Sequence, residues 1–318
     1  MFLRSTKEVI FMDNKGKDKI KELLDKVEKG VLEVMDSEKY KEYLKFQSMF
    51  HNYSTNNIML IFSQKPTATA VAGYKTWQKL GRQVQKGEKG IKILAPCIIK
   101  KTKEIEKIDP KTLKPIIDSE TGKPIKTLET FEFPRFKKIS VFDISQTEGK
   151  EVPSLITEIQ TNSKNSDMII KAIKKISEVP ITFETIKNGA KGYFLPKGNR
   201  ICISEGMSKD QTVKTMIHEY THSILHGEGD TNVDKATKEL QAESTAFIVS
   251  NRYGIDTSEY SFGYLASWSG GKDVKNLKQS FDIIQKTSHE IIEKLDETLE
   301  KELEVQRKPI VEDDELEI

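Results

Sequence analysis

The chain has 318 residues, 36% of them hydrophobic, with 51 Lys and Arg against 49 Asp and Glu and a negative mean hydropathy. That composition excludes a globally disordered chain. No apolar run reaches the roughly 20 residues of a membrane span, and the first residues show neither a secretory signal nor a transit peptide, so a soluble cytoplasmic protein with room for two domains is expected. Cys97 and Cys202, far apart in sequence, exclude a disulfide framework and a CxxC metal knuckle, and both read as small buried apolar residues.

The near-zero net charge conceals an asymmetry. Residues 1–150 hold 30 Lys and Arg against 20 acids, and residues 151–318 hold 21 against 29. The excess concentrates in residues 51–100, with eight basic residues and one acid, Glu88, which reads as a surface facing an anion.

In chain order, Ile20, Leu23, Leu24, Val27, Val31 and Leu32 recur at helical spacing, as do Tyr40, Tyr43, Leu44 and Met49 after Ser37. A third helix follows Ser54, a short one spans Gly73 to Gly81, and Ile91 to Ile99 reads as a strand. Residues 101–130 read as an exposed hairpin-like insertion holding a near-repeat, Asp109-Pro-Lys-Thr-Leu-Lys-Pro-Ile116 and Asp118-Ser-Glu-Thr-Gly-Lys-Pro-Ile125, with turn chemistry in each copy. Strand pattern returns near Lys138 to Ile144, and a linker is placed at 151–165. A helix near Ser166 to Ser177, a strand at Pro180 to Thr185 and a hairpin over Gly192 to Ser204, turning at Gly198-Asn199, come next. Ser208 and Gln211 form a capping-box pattern before a helix striped by Val213, Met216, Ile217, Tyr220 and Ile224 and stopped at Gly227. Another helix spans about Asp234 to Arg252, and a long one carries Leu277 through Leu303. Residues 305–318 read as an acidic tail.

His218-Glu-Tyr-Thr-His222 is an HExxH motif on one of these helices. At i and i+4 two imidazoles stand above one another and can reach one zinc ion, while Glu219 projects beside them as a catalytic base. A third ligand is needed, and His226, Glu228, Asp230, Glu239 and Glu243 are available. Glu243 is the expected one: it shares a helix face with Leu240, Ala246 and Phe247, and an inward charge is tolerated chiefly when paired or metal-bound. Glu239, one turn earlier, is expected outside the ligand set. The hairpin before the motif offers an edge for main-chain pairing with an extended peptide, or merely completes a sheet.

Several blocks of the first half resemble the amino-terminal domain of the ArdC-type antirestriction proteins: Tyr53 to Asn57, Ile61 to Pro66, Val71 to Trp77, Leu80-Gly-Arg82, Lys86 to Gly90 and Val141 to Thr147. The second half, with HExxH, Glu239-Leu-Gln-Ala-Glu243 and Tyr264 to Trp268, is similar to their metallopeptidase domain, itself related to the ImmA and IrrE peptidases. The resemblance implies an α+β protein in which a mixed α/β domain at 1–150 binds single-stranded DNA. It implies a zincin-like zinc metallopeptidase domain with the HExxH helix at 166–304, and a plasmid or conjugative element as carrier. It also implies Glu243 as third ligand. Independently, Tyr53, Tyr74 and Trp77 are interleaved with Lys75, Lys79, Arg82, Lys86 and Lys89, a pattern that combines base stacking with phosphate neutralisation, although aromatics at helical spacing also build cores. The partners expected are therefore single-stranded DNA and a peptide or protein substrate. Two alternatives stand beside this reading: a DNA-coating or protein-binding module with a structural zinc, and a regulatory peptidase that cleaves a repressor.

Overall fold

The computed structural model describes residues 14–110, 112–152, 159, 165–187, 189–227, 233–260 and 262–307. Its elements are α1 (Asn14–Glu33), α2 (Ser37–Met49), α3 (Thr55–Gln64), β1 (Val71–Ala72), α4 (Tyr74–Lys79), β2 (Arg82–Val84), β3 (Ile91–Glu106), β4 (Lys126–Asp143) and β5 (Thr147–Gly149). They continue with α5 (Asn165–Ile176), β6 (Ile181–Glu184), β7 (Gly192–Leu195), β8 (Arg200–Ser204), α6 (Lys209–Leu225), α7 (Lys235–Arg252), α8 (Leu265–Ser269) and α9 (Val274–Arg307). The mixture is α+β. The acidic tail lies beyond the described residues from 308 onward, as do most of the 151–165 linker and the candidate ligands Glu228 and Asp230. Among the described residues, no helix is long and apolar enough to cross a membrane.

Two compact units are present, Met1–Asp25 with Lys92–Ser140, and Lys26–Ile91 with Val141–Ile318. Residues 26–91 belong to the unit that carries the HExxH helix.

The first unit is built on the ribbon of β3 and β4. The Thr102 and Thr130 hydroxyls meet at 3.1 Å and Lys100 Nζ reaches Glu132 Oε1 at 2.7 Å, so positions advance on one strand as they retreat on the other, an antiparallel pairing. The arms of the 101–130 segment are continuations of these strands, because Thr102, Ile105, Leu128, Phe131 and Phe133 keep β-branched and apolar residues interspersed with charges. The near-repeat forms two equivalent turns. Asp109 N bonds Lys114 O and Asp118 N bonds Lys123 O, each at 2.9 Å, and each aspartate side chain accepts amides of its own turn. The fifth residue of each copy is left-handed, Gly122 at φ 66° and Leu113 at φ 55°, the latter a strained position for a residue with a Cβ.

In the second unit, β8 is the centre of a three-stranded sheet, parallel to β6 and antiparallel to β7, and Ile201, Cys202 and Ile203 on it are fully buried. Cys97, by contrast with its expected burial, is only half-buried. β7 forms an edge, joined to β8 by a turn in which Asn199 is left-handed at φ 41°. Helices α6 and α7 pack together, and α2 and α9 pack against α7. An aromatic cluster fixes this arrangement: Tyr40 meets Phe262 edge-on at 5.1 Å, Tyr43 stacks on Phe281 at 5.6 Å, and Tyr40 Oη shares a hydrogen bond with Ser244 Oγ at 2.8 Å. Asn251 on α7 donates to Ser48 Oγ on α2 at 2.8 Å.

Candidate metal centre

Helix α6 begins where Ser208 Oγ accepts the Gln211 amide at 3.2 Å. The reciprocal half of the expected capping box is replaced, since the Gln211 side chain donates to Thr215 Oγ1 and accepts from Lys191 Nζ. Val213, Met216, Ile217 and Tyr220 are buried as the stripe predicts, whereas Ile224 is exposed because the helix ends one residue later. Helix α7 starts at Asp234, which accepts the Thr237 amide at 2.8 Å.

The facing surfaces of these two helices bring the site together. His218 Nε2 and His222 Nε2 lie 3.1 Å apart, and Glu239 Oε2 is 3.6 Å from the first and 3.8 Å from the second. Donors bound to one tetrahedral ion at about 2.0 Å stand about 3.3 Å apart, so a small rotation of the Glu239 carboxylate completes that spacing. Glu243, the expected third ligand, lies on the other edge of the ring: its Oε2 is 3.1 Å from His218 Nδ1. The carboxylate sharing the space between the two Nε2 atoms is therefore the one that the burial argument set outside.

Partners on the far edges aim both nitrogens. With Glu243 accepting the Nδ1 proton, the His218 Nε2 lone pair is directed to the shared point. His226 closes α6 with its amide on His222 O and is buried, so its ring leaves the i, i+4 ladder. Its Nε2 donates to Gln241 Oε1 at 3.0 Å, which leaves its Nδ1 to accept the Nδ1 proton of His222 at 2.8 Å. That assignment frees His222 Nε2 as well. Neither His226 nor Gln241 was singled out by motif for this role.

The electrostatics point the same way. Burial works against charge on His218, yet the carboxylates of Glu239 and Glu243, with Glu219 close by, raise its pKa to about 9. The two imidazoles beside it, His218 and His222, hold Glu239 far below the usual carboxylate range. Three carboxylates around two imidazoles thus retain a proton where a divalent cation would neutralise the same excess of charge. Imidazole and carboxylate donors at these separations fit such an ion.

Glu219 is 8% exposed, and burial raises its pKa, partly offset by the two histidines and by the Phe194 amide of β7. The start of β7 presses on α6 at this point. A Cβ on Gly192 would meet Thr215 Cγ2 at 2.7 Å, Cys202 O at 3.0 Å and Glu219 Cγ at 3.3 Å, so glycine is required for the approach. Gly192, His218 and Glu219 together line two cavities, of about 320 Å³ toward Lys214 and Tyr260 and about 520 Å³ toward Phe194 and Lys238. Lys214 went unnoticed in the sequence. It is buried one turn before His218 with its Nζ 3.3 Å from Glu259, and a lysine inside an apolar stripe was the available signal.

The basic window is arranged differently. Trp77, expected as a stacking platform, is 3% exposed and donates its indole N–H to Phe142 O at 2.8 Å, so no base can stack on it. Arg82 is committed to Thr147 Oγ1 at 2.8 Å, Thr147 O at 3.1 Å and the carbonyls of Gly149 and Lys150, bracing β5 against β2. Tyr53 is half-buried with its hydroxyl on Val71 O at 3.0 Å. Tyr74, Lys75, Lys79, Lys86 and Lys89 are exposed.

Comparison with known proteins supplies the family context. The family described as the N-terminal domain of anti-restriction factor ArdC matches residues 14–142, and the IrrE N-terminal-like domain, a peptidase family, matches residues 177–250. An uncharacterized protein of Bacillus anthracis is 29% identical over 89% of this chain, and the chain spans about half, 52%, of that relative. Crystal structures of the antirestriction ArdC protein from plasmid R388 align over 78% of this chain. The metal-free form is 20% identical over 86% of its own length with a TM-score of 0.43, and the Mn(II)-bound form 18% identical over 85% with a TM-score of 0.44. The chain has the ArdC-type two-domain architecture, an ArdC-type amino-terminal domain followed by an IrrE-like domain of a peptidase family.

Proposed function

We propose that the protein is a metal-dependent peptidase of the antirestriction type, with zinc as the ion, His218, His222 and Glu239 as its ligands and Glu219 as the catalytic base. The observation that carries this reading is the convergence of both Nε2 atoms and the Glu239 carboxylate beside a buried glutamate. The ion would act as a Lewis acid on a scissile carbonyl and lower the pKa of water.

The chain's own residues supply the rest. Glu219, with its pKa raised, takes a proton from the attacking water and delivers it to the leaving amine. Glu243 and the His226–Gln241 pair hold the two imidazoles in the tautomers that expose Nε2. The edge strand β7 passes both cavities, and its side away from β8 offers main-chain groups to an extended peptide laid across Glu219. Glu219→Gln should keep the bound metal and lose at least a hundredfold in peptide cleavage, the scale of a general base; a variant that cleaves as fast as wild type would remove Glu219 from the chemistry.

A second activity, single-stranded DNA binding, has support of its own in the exposed set Tyr74, Lys75, Lys79, Lys86 and Lys89. Four ammonium groups neutralise phosphates, and Tyr74 is the one aromatic of the expected three that remains open to a base.

A further inference from the structure

We infer a second divalent transition-metal site, separate from the HExxH cluster, formed by His51, His289 and Glu293. Among the described residues, two groups of His and acidic side chains bring three ligand atoms within metal-binding reach, and this is the other one. His51 Nδ1 lies 3.3 Å from His289 Nδ1, and Glu293 Oε1 is 3.9 Å from the first nitrogen and 4.0 Å from the second. The HExxH cluster shows nearly the same triangle, at 3.1, 3.6 and 3.8 Å. In both, two imidazole nitrogens are already at tetrahedral spacing and a half-exposed carboxylate must rotate slightly to close it.

The construction of the site favours an ion over a simple imidazole pair. His289 and Glu293 are one turn apart on α9, a chelating arrangement on one helix face. His51 comes from the turn between α2 and α3 and is buried, and its backbone is pinned: Gln285 of α9 donates to both His51 O and Tyr53 O at 2.9 Å. The buried nitrogen is thus held in place before any ion arrives. A pair of neutral rings sharing one hydrogen bond would use the two nitrogens but would leave unexplained the carboxylate set at nearly equal distance from both. Arg252 nearby pairs with Asp296 at 2.8 Å. With Nδ1 of each ring as ligand, each Nε2 keeps its proton, and Glu293, half-exposed, leaves the remaining position to water. Imidazole donors select zinc, cobalt, nickel or copper over magnesium or calcium. Bound there, the ion would tie the α2–α3 turn to α9.

Full-length protein stripped by a chelator and titrated with cobalt(II), followed by visible absorption and equilibrium dialysis, should take up two equivalents per chain. His289→Ala, at a half-exposed position that should still fold, and Glu293→Gln should each take up one fewer equivalent. Zinc should also raise the Tm of the wild type by more than that of His289→Ala. An uptake that neither His289→Ala nor Glu293→Gln lowers would overturn the second site.

Discussion

The HExxH cluster and the basic window were both read as sites from residue types and spacing, and the structure treats them in opposite ways. At the cluster, residues from α6 and α7 converge on one point, and every imidazole edge has a partner that aims it. In the window, the residues are divided between two tasks: Trp77, Arg82 and the Tyr53 hydroxyl hold the fold, and the lysines with Tyr74 face outward. The lesson is that a motif fixed by short-range geometry can be read as a unit. A scattered set of basic and aromatic residues must be sorted one by one, according to what each is bonded to.

That division predicts distinct failures. Trp77→Ala should cost the most, about 3–5 kcal/mol of unfolding free energy in denaturant titration, since a buried indole and its hydrogen bond are lost together. An unchanged midpoint would return Trp77 to the surface. Replacing Lys75, Lys79, Lys86 and Lys89 by alanine should leave stability within about 0.5 kcal/mol. It should also flatten the logarithmic salt dependence of single-stranded DNA binding by roughly 0.7 for each phosphate contact removed. If the quadruple variant binds with the wild-type salt slope, the DNA reading of this window fails. Gly192→Ala should cost about 1–3 kcal/mol, less than Trp77→Ala, from forcing β7 away from α6. It should lower cleavage by more than stability accounts for, because Glu219 is among the atoms displaced; cleavage at the wild-type rate would mean that β7 can retreat without disturbing the base.

Much of the fold was legible because its signals are local. Ser208 and Asp234 announced two helix starts, the Asn199 turn announced the β7–β8 hairpin, and the stripe on α6 identified its buried face. The near-repeat was legible as turns, but the length of its strands was not, since an exposed ribbon has no buried face to mark it. Which of two acids stands nearer the shared Nε2 point was beyond local reading. Glu239 and Glu243 are one turn apart on the same side of α7, with side chains 46% and 31% exposed, and which of them meets the Nε2 point depends on how α7 crosses α6. Arg82 was read as a phosphate contact because its carbonyl partners lie more than 60 residues away in sequence. The pairing of His51 with His289 spans most of the chain and carries no motif.

The division of labour between Glu239 and Glu243 is the centre of the proposed chemistry, and metal content measures it directly. Glu239→Ala should lose the HExxH ion, read as one equivalent fewer of zinc per chain after dialysis against a weak chelator. Glu243→Ala, which removes an orienting hydrogen bond, should keep the ion with an affinity lowered about 10–100-fold. Loss of the ion in Glu243→Ala with full retention in Glu239→Ala would contradict the assignment and return Glu243 to the third ligand position.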